Sequence, residues 1–363
     1  MEKREDQIRK ADENALAARW QERDPEFDGT RREAMIQQLK TRCRQGSPDR
    51  PLRLDLRGIN LNSEELSGLD LSGYDFSFAS MNRVNFSQSN LSYAILTDAG
   101  LDMAVLDECE FIGADLRRAS LNECSAKNCG FGGADLSHAS MINADLGEAV
   151  LSRSSLHYAD LRASDLTGAR LSEADLSHAV FTRATLCDAD MKKSNVAYTS
   201  FSLADLQRCR LLGIKNFKKA DWIGADIRDM DLRGAFLVRR YISDENYLFE
   251  FQSQSRMHKT IYWIWWFTSD CGRSLLRWFA WLLTATLGYA AVYTQLAIDY
   301  GDYQTWFSSI YFSFVTLTTL GYGDAVPMSL TAQVVVSLQA ITGYMGLGGL
   351  LSILGNKMAR RAE

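Results

Sequence analysis

Residues 131–150 read FGGADLSHASMINADLGEAV, and the pattern in them recurs every five residues. Phe131, Leu136, Met141 and Leu146 are large and apolar, and Ala134, Ala139, Ala144 and Ala149 are small. Outward from this stretch in both directions, every fifth position from Leu56 to Leu211 is apolar, 32 of 32, which is too regular for chance. From Ala79 onward the residue two before each of these is nearly always Ala, Ser or Cys. Asp or Asn is frequent between the two, giving ADL at 114–116, 134–136, 144–146, 174–176 and 204–206. The frame slips by one residue near Gly213 and is expected to resume at Phe217, Trp222, Ile227, Leu232 and Leu237.

A period of five fits neither a helix at 3.6 nor a strand at 2. It requires a path that turns a corner every five residues. Four five-residue sides make a square coil of twenty residues per turn. The large and the small position both point inward, and together they fill a narrow bore at close-packed density. The other three positions face water. Coils stacked at the sheet spacing of ~4.8 Å give, for about nine coils, a rod of roughly 40–45 Å.

These residues resemble the pentapeptide-repeat proteins, A(D/N)LXX, over roughly 52–238. The resemblance implies a right-handed quadrilateral β-helix over 51–238 whose inward residues are structural. A solenoid needs capped ends, because bare coils would pair edge to edge. The charged segment 1–50, expected to be helical, and the segment 239–274, whose first part is 239–260, are the expected caps. Cys109, Cys124, Cys129 and Cys209 occupy the small inward slot, so they read as core residues and not as metal ligands. Seven cysteines without paired spacing do not make a disulfide framework. His138, Tyr158 and His178 are twenty apart and share one outward column. Two coils, about 9.6 Å, separate the histidines, too far to share one metal.

The chain has 363 residues and a formal net charge of −5, which excludes a strongly basic nucleic-acid binder. The charge is unevenly placed. Residues 1–50 carry 12 basic and 11 acidic residues, and residues 51–250 carry 21 and 29. Residues 278–356 carry only Asp299, Asp302 and Asp324, which is a membrane composition. Residues 278–298, WFAWLLTATLGYAAVYTQLAI, are long enough for one span, and 325–356 are an uncharged run longer than a span needs. Lys259, Arg273 and Arg277 precede the first span, and Lys357, Arg360 and Arg361 follow the second. The loop between them has three Asp and no basic residue. The positive-inside rule therefore expects both termini and the rod in the cytoplasm of a multi-pass plasma-membrane protein, of a bacterial inner membrane. The start, MEKREDQIRK, has no apolar core of a cleavable signal peptide. Residues 261–267, IYWIWWF, suit the headgroup region.

Between the spans, 305–318 (TWFSSIYFSFVTLT) can enter a membrane but not cross it. Thr319-Leu320-Gly321-Tyr322-Gly323-Asp324 follows. Backbone that lines an ion path must aim its carbonyls at the ion, and alternating left- and right-handed residues can do so. Glycine tolerates the left-handed ones, hence Gly321 and Gly323.

With this loop, roughly 275–363 resembles the two-transmembrane potassium channels, and the mechanism that follows is the one general to that family. The resemblance implies a homotetramer in membrane lipid, with outer helix 275–298, pore helix 305–317, filter 319–323 and inner helix 330–356 in a pore domain 275–363. Carbonyls of Thr319, Leu320, Gly321, Tyr322 and Gly323, with the Thr319 hydroxyl, would replace the water shell of K+. K+ is then the permeant ion, and no other metal or cofactor is expected. The family filter usually reads TVGYG, and Leu320 stands here for Val. Thr318, Asp324 and Tyr311 are the expected filter supports. Some members have Glu where this chain has Val315, so Tyr311 is the expected partner of Asp324. Gly343, twenty residues after Gly323, is the expected gating hinge, and Gly346, Gly348, Gly349 and Gly355 are expected to serve packing. Ala340, Tyr344, Leu347 and Leu351 would line the pore. No helix carries Arg at every third position, so no voltage sensor is expected. With seven residues after Asn356, regulation is expected to come through the N-terminal half or the lipid.

The sequence thus reads as a potassium-selective channel conducting K+ passively, with a cytoplasmic repeat domain that modulates gating or assembly and offers a surface for a protein partner. The alternative is a membrane-anchored repeat protein whose solenoid binds a partner, which leaves the filter unexplained. No nucleophile–base pair, phosphate loop or metal cluster points to an enzyme.

Overall fold

A computed structural model describes residues 12–26, 28–42, 55–231 and 234–362. The chain divides into two compact units, Met1–Tyr247 and Leu248–Glu363.

In the first unit the five-residue period becomes a stack of coils. Parallel bridges join residues twenty apart, from Asp55↔Asp75 to Asn195↔Lys215, four to each turn. The Leu/Phe/Met positions and the Ala/Ser/Cys positions are buried together. Phe111 stacks on Phe131 at 4.9 Å, and Phe181, Phe201 and Trp222 continue such a stack further along the bore. The frequent Asp or Asn before the large residue has a local reason. Its carboxylate or amide oxygen accepts the N–H two residues on, as in Ser77 to Asp75 at 2.9 Å and Thr167 to Asp165 at 2.9 Å. The corner itself is left-handed. Every fifth residue from Gly58 to Gly213 has φ near +60°, and only seven of these are glycine. Nearly every corner N–H donates to the next coil, as in Ser63 to the Asn82 carbonyl at 3.0 Å, so the conformation is held by the ladder.

The cysteines of the small slot are buried, and the thiols of Cys109, Cys129 and Cys209 donate to carbonyls of the preceding coil at 2.7–2.8 Å. Burial pushes the Cys124 thiol up to about 12. The neighbouring Cys109 thiol and burial raise that of Cys129. His138, Tyr158 and His178 do form one outward column. They stack at 5.1 and 4.5 Å, Tyr198 extends the column at 4.9 Å, and His157 lies edge-on against Tyr158 at 4.4 Å.

At the start of the coil, a helical stretch at 12–18, a 3-10 turn Arg19–Gln21 and helix α1 (Arg31–Arg42) lie against the first turns. Trp20, Ile36 and Leu39 join the coil's core. Trp20 Nε1 donates to the Arg57 carbonyl at 2.9 Å, and Arg32 and Lys40 both reach Glu64. Arg57 and Arg19 flank Asp55 and hold its carboxyl well below the usual carboxylate range. Residues 1–11, 27 and 43–50 of the expected N-terminal cap, and 51–54 of the expected repeat, lie outside the described residues.

At the far end the bridge interval lengthens to twenty-one from Ser200↔Asp221 onward. The extra residue is absorbed around Asn216 (φ 59°) and the 3-10 turn Phe217–Lys219. Trp222 is buried, while Phe217 and Ile227 pack at the core's edge. Leu232 lies outside the described residues. Leu237 corrects the expected frame: it is 70% exposed, because helix α2 (Phe236–Ser253) has begun and the period is now 3.6. Ala235, Val238 and Ile242 close the core in its place. Tyr241 Oη donates to the Lys218 carbonyl at 3.0 Å.

The second unit is helical. Helix α3 (Arg256–Ser269) contains the Trp-rich segment and starts at Ser255, whose Oγ accepts the His258 N–H. Helix α4 (Leu275–Tyr293) and helix α6 (Leu330–Ala362) are long and apolar enough to cross a membrane, and the short apolar helix α5 (Ser308–Leu317) lies between them in sequence. The helix expected over 275–298 stops at Tyr293, because Ile298–Asp299 (β1) pairs antiparallel with Val326–Pro327 (β2). The helix expected from 305 starts at Ser308, whose Oγ accepts the Thr305 N–H at 2.8 Å. The helix expected to end at 356 runs on to Ala362. α4 packs on α5 and α6, and α5 packs on α6.

Candidate functional site

α5 aims the loop that follows it. Phe312, Val315 and Leu317 bury its inner face, and Thr318 Oγ1 caps its end by donating to the Phe314 carbonyl at 2.9 Å. Two further backbone bonds carry the helix into the loop: Thr319 N–H to Thr316 at 3.1 Å and Leu320 N–H to Val315 at 3.2 Å. Beyond them the backbone alternates. Thr319 (φ 58°), Gly321 (47°) and Gly323 (77°) are left-handed, while Leu320 and Tyr322 are not. For the β-branched Thr319 this is an uncommon conformation. Among the described residues, no hydrogen bond reaches the carbonyl of Thr319, Leu320, Gly321, Tyr322 or Gly323. Five successive carbonyls are therefore free to face a cation. The Thr319 hydroxyl donates to the Thr318 carbonyl at 2.7 Å.

At the far end of the loop Tyr311 Oη donates to Asp324 Oδ2 at 2.7 Å, the pair that the family resemblance implies. Val315 is buried. The antiparallel β1–β2 pair holds the chain just after Asp324 against the end of the α4 turn, with Met328 N–H donating to the Ala297 carbonyl at 2.9 Å.

On α6, Gln339, Gly343, Gly346 and Ile353 are buried. Tyr344 and Leu351 are exposed on this single chain, and Ala340 and Leu347 are half-buried. Gly343 sits against the end of α5: a Cβ there would run into the Leu317 carbonyl oxygen and stand 2.9 Å from its carbon. Gly346 and Gly349 lie under Leu282 and Trp278 of α4, and Trp278 Nε1 donates to the Gly346 carbonyl at 2.8 Å. Gly348 and Gly355 have nothing within 4 Å. Sequence reasoning missed Gln339 and its partners Tyr293 and Ser313. A lone amide inside an apolar span was the available signal.

A family model described as an ion channel matches residues 276–360. One described as pentapeptide repeats matches eight copies within 70–104, 94–133, 129–168 and 169–208. The chain joins pentapeptide repeats to a two-helix ion-channel domain. The channel domain is similar to TvoK, a calcium-gated potassium channel of Thermoplasma volcanium, at 36% identity over 76 residues. That match is 21% of this chain and 22% of the relative, so the chain spans about a fifth of the length of the relative it matches. The repeats are similar to HetL, a pentapeptide repeat protein involved in heterocyst differentiation regulation in the cyanobacterium Nostoc sp.. The identity is 30%, covering 48% of this chain and 87% of HetL, with a TM-score of 0.24. A trypsin-treated form of QnrB1, a plasmid-mediated fluoroquinolone resistance protein, matches at 18% identity over 51% of this chain and 95% of QnrB1, with a TM-score of 0.33. The TLGYGD loop falls inside the part matched by the ion-channel family, and the repeat unit precedes it in the chain.

Proposed function

We propose that four copies of this chain surround one potassium-selective pore, through which K+ crosses a membrane passively by way of the carbonyls of residues 319–323. The observation that carries this reading is the alternation of left-handed residues at 319, 321 and 323 with five carbonyls left unbonded at the end of a half-length helix. Four such loops around one axis can replace the water shell of K+ site by site. Since the coordinating group is backbone, Leu320 in place of Val changes the packing behind the filter and leaves the ligands the same. Tyr311 and Asp324 pin the outer mouth. Leu320 and Tyr322 are 61% and 67% exposed on the single chain, surface that neighbouring subunits would cover. In this reading α5 is the pore helix, Gly343 the hinge, and Ala340, Tyr344, Leu347 and Leu351 the lining below the filter. The repeat unit forms a right-handed quadrilateral coil in the cytoplasm, on the side of Lys259, Arg273 and Arg277, where it biases gating or assembly.

Purified protein in liposomes tests the proposal. K+ flux should be blocked by Ba2+ and far exceed Na+ flux. Gly321→Ala adds a Cβ at a left-handed residue and should abolish selective flux. Wild-type protein that passes Na+ as readily as K+, or Gly321→Ala with unchanged discrimination, overturns the reading.

A further inference from the structure

Gln339, in the first third of apolar α6, is a fully bonded buried side chain of the membrane unit. It is completely buried, and every polar atom of its amide is used. The Tyr293 hydroxyl, at the end of α4, donates to Gln339 Oε1. Gln339 Nε2 donates to the Ser313 carbonyl at 2.9 Å and to Ser313 Oγ at 2.6 Å, both on α5. Ser313 Oγ in turn donates to the Thr286 carbonyl of α4 at 2.7 Å. One amide therefore ties the three helices together. In a dry interior an unpaired amide is costly, so a network of this kind holds one arrangement and resists others. Its place along α5 matters. Four residues after Gln339, Gly343 meets the Leu317 carbonyl, and Leu317 is four residues after Ser313. Two contacts about one helical turn apart fix both the depth and the rotation of α5. Leu317 is two residues before Thr319, so a shift of α5 is passed directly to the filter.

We propose that Gln339 is the positioning residue of the filter: its amide sets the height and rotation of α5 and thereby holds Thr319–Gly323 in the conducting shape. This rests on the reading of 319–323 as a K+ filter. The test is the K+/Na+ permeability ratio and Ba2+ block of the full-length protein in planar bilayers. Gln339→Met keeps the volume and removes every bond, and should lower the ratio about tenfold or more. Gln339→Glu offers an oxygen to Tyr293 and, as the neutral acid, a proton to Ser313, and should restore the ratio to within about threefold of wild type. Ser313→Ala and Tyr293→Phe each remove one partner and should fall between. Leu282→Ala, a packing loss at the same helix interface, should lower the heat resistance of the assembly without moving the ratio. An assembled Gln339→Met channel with the wild-type ratio overturns the proposal. If Gln339→Met does not assemble, Ser313→Ala and Tyr293→Phe decide: reduced ratios support it and unchanged ratios in both overturn it. A wild-type channel that does not discriminate K+ from Na+ overturns the filter reading instead.

Discussion

Replacing Gly343 with Ala separates two roles that one glycine can have. As a hinge, it would matter because glycine bends. As a contact, it matters because α6 and α5 approach too closely for a side chain. The added Cβ meets the Leu317 carbonyl oxygen and lies 2.9 Å from the Leu317 carbon and Cα, whereas ordinary contact begins at 3.4 Å. The helices must part by roughly half an ångström or more, and the opposing atoms are backbone that cannot rotate away. Ala gains about 1 kcal/mol over Gly in a helix interior. Overpacking costs about 1–3 kcal/mol, toward the upper end where the neighbour cannot yield. The expected balance is a loss of about 1–2 kcal/mol in the membrane unit. Gly348→Ala is the control. Nothing lies within 4 Å of its Cβ on this chain, so it should be neutral or gain up to about 1 kcal/mol. Thermal loss of the detergent-solubilised assembly, read by size-exclusion chromatography, orders the two variants. Single-channel recording adds the second readout: a lost hinge lowers open probability with selectivity intact, whereas displacement of Leu317 also lowers the K+/Na+ ratio. Gly343→Ala as heat-resistant as Gly348→Ala, with unchanged selectivity, refutes the close-contact reasoning.

Three further outcomes are expected. In the repeat unit Leu146→Ala should cost about 2–5 kcal/mol through the cavity it leaves, and Arg153→Ala, which removes only an exposed ion pair with Glu173, no more than about 1 kcal/mol; chemical denaturation followed by circular dichroism compares them, and equal losses refute the inward–outward register. A cysteine at Arg183 should resist a membrane-impermeant thiol reagent applied to intact cells and one at Asp302 should react, both measured against the wild-type background; the opposite pattern reverses the topology. A ten-residue Gly/Ser insert between Gln254 and Ser255, where α2 gives way to α3, should change open probability and spare selectivity if the repeat unit biases the gate, and unchanged single-channel gating removes that role.

The coil was legible because its inward positions carry a strict chemical alternation, large at Leu136 and small at Ala134, and a bore admits little else. Its left-handed corners were not. They fall on His138, Asn143, Glu148 and Arg153 as readily as on Gly133, so no residue type marks them. Leu237 was misplaced because five-residue spacing continues by coincidence into a helix, where burial passes to Val238 and Ile242. In the membrane unit the loop was legible in the sequence, and the Tyr311–Asp324 bond through the resemblance to potassium channels, since both partners lie on one short segment. The Gln339 network was not, because its partners lie on two other stretches of sequence, Tyr293 and Thr286 on α4 and Ser313 on α5. The early end of α4 was hidden for the same reason: Ile298 is apolar enough to extend a span, and only its pairing with Pro327, far along the chain, turns it into strand.

The same backbone conformation does opposite work in the two units. In the coil, a left-handed non-glycine residue costs on the order of 1–2 kcal/mol, and a ladder bond of about 1 kcal/mol offsets much of it. Arg153 N–H reaches the Ser172 carbonyl at 3.0 Å, and Glu148 N–H reaches that of Thr167 at 2.8 Å. Nearly every corner is thereby closed, and the coil has few backbone groups left to offer anything. In the loop after α5 the left-handed residues at 319, 321 and 323 are not held by such a ladder, and their carbonyls accept nothing from the described chain. The conformation there must be held from behind, by α5, by the Tyr311–Asp324 bond and by whatever fixes α5 itself. That requirement is why a polar anchor belongs deep in an apolar span. In the proposed reading, backbone kept open for an ion cannot use its own carbonyls to stabilise its shape, and the bonds that would stabilise it sit one layer further out, on Gln339 and Ser313.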